Sequence, residues 1–367
     1  MNVASLILLL DFLFASFLGV MVIKLILTVA YGRRWFDQPD TRRVHTAPVP
    51  RLGGVSFLPV MMITIAVTIG MMYYRGLTSL FEQDYYVLIQ LSVLLGAGML
   101  MYIVGIADDL VSVGFRMKFL FQFVASCIVV LSGLWIKDYY GLFGIHQLPG
   151  IVGMPVSVLL IIYIINSFNL IDGIDGLASG LGIISLVTLS VISFAEDRFL
   201  HLMIGATALG VILVFWAFNV FGTREKCTKI FMGDCGSLTL GLILSFLIIN
   251  ISDQGLVNPV RGARYLVIGF STLLIPMLDV PRIVIWRVLK HRSPFLPDNN
   301  HIHHLLLRSG LSQRGALVLL LGLDVAIILL NVWISGWMPV TAVFCLDVFL
   351  WYLFTWYVVM RLRRKAG

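Results

Sequence analysis

The sequence predicts an all-α polytopic integral membrane protein. Of its 367 residues, 59% are hydrophobic and only 12% are charged, and the mean hydropathy is +0.98, which lies outside the range of soluble globular domains. Apolar runs of the length that a helix needs to cross a bilayer, about 17 to 25 residues, recur along the chain. Because backbone donors and acceptors cannot stay unpaired in hydrocarbon, such runs are typical of helices rather than of barrel strands.

About eleven membrane spans are predicted. In chain order they cover residues 3–30, 54–73, 86–106, 118–136, 151–168, 177–194, 200–218, 236–251, 265–286, 316–334 and 338–360. The first run lacks a basic segment before it and contains Asp11 and Lys24, so we expect a helix and not a cleaved signal peptide. No internal repeat or soluble domain separates the runs, and we expect a single transmembrane domain over residues 1–367.

Lysine and arginine residues set the predicted orientation. With eleven spans, the loops on one side hold 19 of the 26 Lys and Arg residues and the loops on the other side hold five, with two inside predicted helices. Because cytoplasmic loops carry the excess of basic residues, the N-terminus is predicted to be periplasmic or extracellular and the C-terminus cytoplasmic. The formal charge of +7 then reports topology, and we expect no nucleic-acid partner.

Unusual polar residues are concentrated in the predicted cytoplasmic loops, which cover residues 32–53, 107–118, 166–176, 219–237 and 287–314. A transporter with intramembrane acids is one alternative, but transport sites lie near the bilayer midplane, whereas these acids lie at one face. A purely structural membrane protein would not explain the carboxylates. The four cysteines have no CxxC spacing, so neither a disulfide nor a zinc-thiolate site is expected. The pattern favours an enzyme whose active site faces the cytoplasm.

Two of these loops carry closely spaced carboxylates. Asp108 and Asp109 are adjacent at a membrane boundary, where they need a cation, a proton or a catalytic task, although a solvated loop is the simpler interpretation of a lone pair. In the second loop, polar residues recur at every third position: Asn166, Asn169, Asp172 and Asp175. Its first three members share roughly one side of a helix, and Gly173 and Gly176 then let the backbone break. Such a stripe beside lipid indicates a functional site.

The segment before the eighth span places Asp234 between glycines at a predicted helix N-terminus, where phosphate can be held. Asp234 would repel phosphate unless a divalent cation lay between them. Capping of the helix is the alternative, and it is expected for Ser237 more than for Asp234.

Three of the seven histidines lie within four residues, close to Arg292: His301, His303 and His304. A zinc site would lack an HExxH motif or a nearby cysteine. An anion-recognition loop fits better, because His and Arg donate hydrogen bonds to phosphate or sugar oxygens. For each histidine alone, a solvated loop is an equally good interpretation.

In this order, the motifs resemble those of the polyprenyl-phosphate N-acetylhexosamine-1-phosphate transferases of glycosyltransferase family 4, over about residues 42–308. The resemblance implies Mg²⁺-dependent transfer, with Mn²⁺ as a substitute, of a sugar 1-phosphate from a UDP-sugar to undecaprenyl phosphate. UMP would leave, and a cell-envelope glycan would begin at a bacterial cytoplasmic membrane. The HIHH loop is closer to the WecA type, which uses UDP-N-acetylglucosamine, than to the MraY type. The same chemistry on another UDP-N-acetylhexosamine is the nearest alternative, and a homodimer is what the family suggests.

The resemblance also implies roles for individual residues. The implied metal ligands are Asn169 and Asp234. The implied contacts to the UDP-sugar come from Asp175, Phe231, Asn219, Arg292, His301, His303 and His304. The implied catalytic residues are Asp108, Asp109, Asp172 and Lys118. A phosphate monoester is already mostly a dianion at neutral pH, so no strong base is required. We therefore expect Asp108 and Asp109 mainly to orient the lipid phosphate, the metal or a lysine.

Overall fold

The computed structural model describes residues 3–33, 49–77, 85–252, 258–291 and 300–366. Within these ranges the chain forms thirteen α-helices and one short β-hairpin. The helices before the hairpin are α1 (Val3–Arg33), α2 (Phe57–Tyr74), α3 (Tyr85–Val111) and α4 (Phe115–Leu131), and the strands are β1 (Asp138–Leu142) and β2 (Ile145–Gln147). The next helices are α5 (Gly150–Ile171), α6 (Leu177–Ala195), α7 (Phe199–Phe221) and α8 (Gly233–Ser252). The last are α9 (Pro259–Ser271), α10 (Leu274–Leu289), α11 (Ile302–Arg308), α12 (Gln313–Ile334) and α13 (Val340–Ala366).

The helical polytopic membrane fold predicted from the sequence is confirmed. In the described ranges, nine helices are long and apolar enough to cross a membrane, and α9 with α10 can form a tenth, bent span. The fourth predicted span falls on α4, which has 17 residues. All eleven predicted spans therefore coincide with helices, while the count of eleven membrane crossings and the orientation stay predictions. The antiparallel hairpin of β1 and β2 was not predicted. It docks on α13, where the Thr341 hydroxyl donates to the Gly141 carbonyl over 3.0 Å.

Helix α8 lies at the centre of the bundle. Nearly every residue from Gly233 to Ser252 is buried, as expected for a helix that is apolar on all sides. Small residues let other backbones approach its first turn: a Cβ atom on Gly54 would overlap the backbone of Gly236, and one on Gly105 would overlap that of Cys235. Such close contacts replace the missing hydrophobic drive between helices in lipid. They bring the first turn of α8 into direct contact with the segment before α2 and with α3.

Helices α9 and α10 meet at a bend of 64°. Pro276 has no N–H to donate to the carbonyl of Thr272, four residues earlier. The Ser185 hydroxyl of α6 donates to that carbonyl instead, over 3.1 Å. Pro281 likewise leaves the Met277 carbonyl without a helical donor, and the Tyr163 hydroxyl of α5 donates to it. Because each freed carbonyl is paired by a neighbouring helix, the break is tolerated within the membrane.

Candidate functional site

The candidate site is assembled around the first turn of α8, which the segment at residues 50–54 holds in place. The Phe231 N–H donates to the Pro50 carbonyl over 2.8 Å, and the Gly53 N–H donates back to the Phe231 carbonyl over 2.9 Å. A third bond, 2.8 Å long, joins the Gly54 N–H to the Met232 carbonyl. The first predicted loop therefore contributes a backbone clamp. Its residues 34–48, including most of its basic residues, lie outside the described residues.

Asp109 caps α8 from the end of α3. Its carboxylate accepts the N–H of Asp234 over 2.8 Å and that of Cys235 over 3.1 Å. The group held at this helix N-terminus is therefore a carboxyl group of the chain itself. The sequence had suggested phosphate at this position, but these two N–H groups are already bonded to Asp109. The expectation that Ser237 caps the helix was also wrong, because α8 begins at Gly233 and the Ser237 hydroxyl lies within its first turn.

Lys118 brings a predicted catalytic carboxylate, Asp108, and a predicted metal ligand, Asp234, together. Its ammonium nitrogen lies 2.6 Å from Asp108 and also contacts Asp234. The other oxygen of Asp234 accepts a hydrogen bond of 2.9 Å from the side-chain amide of Asn169. That amide also donates to the Ser237 hydroxyl over 2.9 Å. Residues from α3, α4, α5 and α8 thus meet at one point. Asp108 and Asp234, the first and last of them, are 126 positions apart in the sequence.

The polar residues at the end of α5 have two different roles: one packs between helices, and the others face the candidate site. Asn166 faces α4 and donates to Gln122 over 2.7 Å, whereas Asn169 faces Asp234. The helix ends at Ile171, as the glycines that follow predicted, and Gly176 adopts a left-handed conformation with φ of +79°. The turn between the two helices presents Asp172 and Asp175.

Asp175 pairs with Lys229, one of the basic residues of the predicted cytoplasmic loops. The ammonium nitrogen of Lys229 lies 2.7 Å from the Asp175 carboxylate and also donates to the Asn219 carbonyl. The Asn219 side chain is itself occupied, since it accepts from the Gly176 N–H over 2.6 Å and donates to the Ile230 carbonyl over 2.8 Å. Asn219 therefore holds the turn of Asp175 against the segment before α8. The implied contact between the Asn219 side chain and a UDP-sugar stays a prediction.

Asp172 lies between these two groups of residues. Burial raises its pKa to about 7, against the opposing effect of the Arg51 guanidinium, and the carboxylates of Asp234, Asp175 and Asp109 raise it further. A carboxyl that titrates near neutrality is typical of functional sites. The guanidinium of Arg51 is the positive charge that stabilises the ionised form of this acid, and no sequence motif pointed to it.

The histidine loop contacts the same turn. The ring of His303 fills the space that a Cβ atom on Gly173 would need, and burial lowers the pKa of His303 well below its usual range. His301 is bonded through Nδ1 to Asp279 over 2.8 Å. Asp279 was missed, although a carboxylate inside a predicted apolar span is a usable signal. Arg292 lies outside the described residues.

Comparison with known proteins identifies the family. The glycosyl transferase family 4 model matches residues 91–252. A probable undecaprenyl-phosphate N-acetylglucosaminyl 1-phosphate transferase of Bacillus subtilis (strain 168) is 32% identical over 285 residues, which cover 77% of this chain and 73% of the relative. This chain belongs to glycosyl transferase family 4. The undecaprenyl-phosphate alpha-N-acetylglucosaminyl 1-phosphate transferases of Escherichia coli (strain K12) and Yersinia pestis are 29% and 27% identical over 286 residues, 77% of this chain and 72% of each relative.

The range matched by the family model includes most of the candidate site of this glycosyl transferase. The matched range of residues 91–252 contains the carboxylates of α3, the turn after α5 and the first turn of α8. The histidine loop lies beyond this range. The resemblance inferred from the motifs is therefore confirmed at the level of the family, and the chain is a transferase. The roles of individual residues stay predictions.

The residues of this transferase fit a magnesium site. In the described ranges, no group of three His, Cys, Asp or Glu side chains is arranged to hold a metal ion. Mg²⁺ in phosphate-handling sites, however, is usually bound by one or two carboxylates, with water and substrate phosphates completing its shell. The Asp234 carboxylate and the side-chain carbonyl of Asn169 are hard oxygen donors, and the Asn169 amide nitrogen holds the two side chains together through its 2.9 Å hydrogen bond to Asp234. The Lys118 ammonium between Asp108 and Asp234 marks a position that already accommodates a cation.

Proposed function

We propose that this transferase moves N-acetylglucosamine 1-phosphate from UDP-N-acetylglucosamine to undecaprenyl phosphate and releases UMP, at the cytoplasmic face of a bacterial membrane. An oxygen of the lipid phosphate attacks the β-phosphorus of the donor. The bond between that phosphorus and the bridging oxygen breaks, and the bridging oxygen leaves with UMP. The observation that carries the proposal is the meeting of Asp108, Lys118, Asn169 and Asp234 at one end of a membrane-spanning bundle.

The surroundings of Lys118 support a lipid acceptor. Phe115, Phe119 and Phe123 follow one another at helical spacing on α4 and are 74%, 50% and 45% exposed, so they form an outward apolar face. The ammonium of Lys118 lies on the inner side of the same helix end. A prenyl chain in the bilayer can therefore lie along α4 while its phosphate reaches Lys118. Such amphipathic placement separates the apolar chain from the charged head.

Charge placement explains how the residues serve the transfer. Lys118 neutralises and orients the incoming dianionic phosphate, and Asp108 holds the ammonium in position. Asp175, fixed by Lys229, accepts a hydrogen bond from the uracil ring. Mg²⁺ bound by Asn169 and Asp234 would supply charge neutralisation for the donor phosphates. Catalysis of this kind rests on positioning and electrostatics more than on proton transfer.

The direct test is UMP release by the purified protein in detergent, with undecaprenyl phosphate, Mg²⁺ and each of several UDP-N-acetylhexosamines. We expect UMP only when lipid, metal and UDP-N-acetylglucosamine are all present, and none after addition of EDTA. Exclusive use of another UDP-N-acetylhexosamine would replace the donor and keep the reaction. No UMP from any donor, with folded protein and active lipid, would overturn the proposal and favour transport.

The proposed orientation has its own test in Cys227, an exposed free cysteine before α8. A variant in which the other three cysteines are replaced by alanine is treated with a membrane-impermeant maleimide. We expect labelling in inside-out vesicles and none in intact spheroplasts. The reverse pattern would place the site on the outer face.

A further inference from the structure

The three histidines of the loop are structurally different from one another. His303 is 1% exposed, its ring packs against Gly173, and neither of its ring nitrogens has a hydrogen-bond partner in the described part of the chain. Its neutral ring acts as a spacer between the loop and the turn that carries Asp175. His301 lies parallel to it, with ring centroids 5.8 Å apart, and is bound by a carboxylate.

That carboxylate, Asp279 of α10, is 1% exposed and fully engaged. One oxygen accepts from Arg282 through Nε over 3.0 Å and through a terminal nitrogen over 2.7 Å. The other accepts from His301 Nδ1 over 2.8 Å, and the Ile302 N–H at the start of α11 lies 3.2 Å from the first. Arg282 also donates to the Asn300 carbonyl over 2.6 Å. Asp279 therefore anchors the imidazole ring and the backbone of the loop together.

The arrangement decides where His301 carries its proton. An ionised carboxylate only accepts hydrogen bonds, so the neutral ring must donate through Nδ1–H, which leaves Nε2 as an acceptor. Arg282 forms an ion pair with Asp279 over 2.7 Å, so the carboxylate has a counter-ion besides His301. Nε2 has no hydrogen-bond partner among the described residues. The ring thus offers one acceptor beside His303, the ring that packs against Gly173 of the turn.

We infer that Asp279 is a positioning residue that fixes this tautomer, so that His301 Nε2 accepts a hydrogen bond from a hydroxyl or amide N–H of the donor hexosamine. The inference rests on the proposed function and deepens it, because it assigns sugar recognition to one histidine and a packing role to His303. It also gives a task to an acid that lies inside a predicted membrane span.

The test is the substitution Asp279→Asn, which keeps the size of the side chain. An asparagine amide can donate to Nδ1, so the ring proton moves to Nε2 and the acceptor becomes a donor. The same change of tautomer strongly lowers the activity of a serine protease when the aspartate of its triad is replaced by asparagine. We expect kcat/KM for UDP-N-acetylglucosamine to fall roughly 100-fold, because a site built to pair a substrate donor rejects the mismatch strongly. Inhibition by UMP, which lacks the sugar, stays within about twofold of the wild type.

His301→Asn provides a second variant, since its amide can still donate to Asp279 but supplies no group at the position of Nε2. It should show the same selective loss. Asp324→Asn, which changes a fully buried acid of α12, is the matched control and should leave both constants unchanged. A parallel rise of the UMP inhibition constant in the two loop variants would show general damage to the pocket and overturn the inference, as would unchanged kcat/KM. Absence of turnover in the wild type would instead refute the proposed function.

Discussion

Replacement of Lys118 by methionine tests the cation position at the centre of the site. The ammonium lies 2.6 Å from Asp108 and also contacts Asp234, and the three side chains are 23%, 14% and 14% exposed. Two unit charges about 4 Å apart attract by about 4 kcal/mol at an effective dielectric constant of about 20. Partial exposure screens these contacts, so we take about 2 to 3 kcal/mol as the loss of folding stability in Lys118→Met, at the low end for a broken buried pair.

The same substitution should strengthen metal binding. In the wild type a divalent cation must displace the ammonium from Asp234, and hydration of the freed ammonium returns most, but not all, of the lost attraction. If about 1.4 kcal/mol remains uncompensated, removing the ammonium lowers the metal Kd about tenfold. Transfer should nevertheless slow about 100-fold, because the group that orients the lipid phosphate is gone.

The assay is a titration of free Mn²⁺ by electron paramagnetic resonance on protein in detergent, without substrates. Lys226→Met, which removes an exposed lysine from the segment before α8, controls for the change in net charge. Equal or weaker Mn²⁺ binding by Lys118→Met than by this control would refute the reasoning that ammonium and metal share one position.

Three further predictions concern the packing and charge around α8. Gly54→Ala should abolish folded protein, because its Cβ atom would overlap Gly236. Gly70→Ala, with open space around the new Cβ atom, should be neutral or stabilising by up to about 1 kcal/mol. Similar yields of the two variants by detergent gel filtration would contradict this. Asp109→Asn should lower the free energy of unfolding by about 1 to 2 kcal/mol, because an asparagine keeps only one oxygen for the two N–H groups that Asp109 accepts, and a thermal melt unchanged from wild type would argue against the capping role. A pKa of about 7 for Asp172 means that the folded state holds its proton more tightly than the unfolded state, so stability falls as pH rises from about 4 to 7 and then stays level. Asp172→Asn should therefore stabilise the protein by about 2 to 4 kcal/mol at pH 8 and by less at pH 5, measured by melting in EDTA, and an equal gain at both pH values would disprove the shift.

Local sequence signals located most of the site segments correctly in the structure. The break after α5 follows from two glycines, and the start of α8 follows from the glycines around Asp234. Their partners could not be read in the same way. Asp109 bonds N–H groups 125 and 126 positions away, and no local pattern distinguishes a capping carboxylate from a catalytic one. Lys229 and Asp279 were passed over for a similar reason, since each takes its meaning from a residue on another helix.

The sequence by itself determined the class of the protein and the segments that carry its chemistry, because the lengths of apolar runs and the cost of polar groups in lipid are local properties. Only the tertiary structure decided which carboxylates share a cation, which one caps α8 and which histidine is held by Asp279. Those assignments depend on helix packing, in which glycines such as Gly54 and Gly105 let backbones touch. Contacts between helices arise from distances between remote parts of the chain, and these distances are set only when the bundle closes.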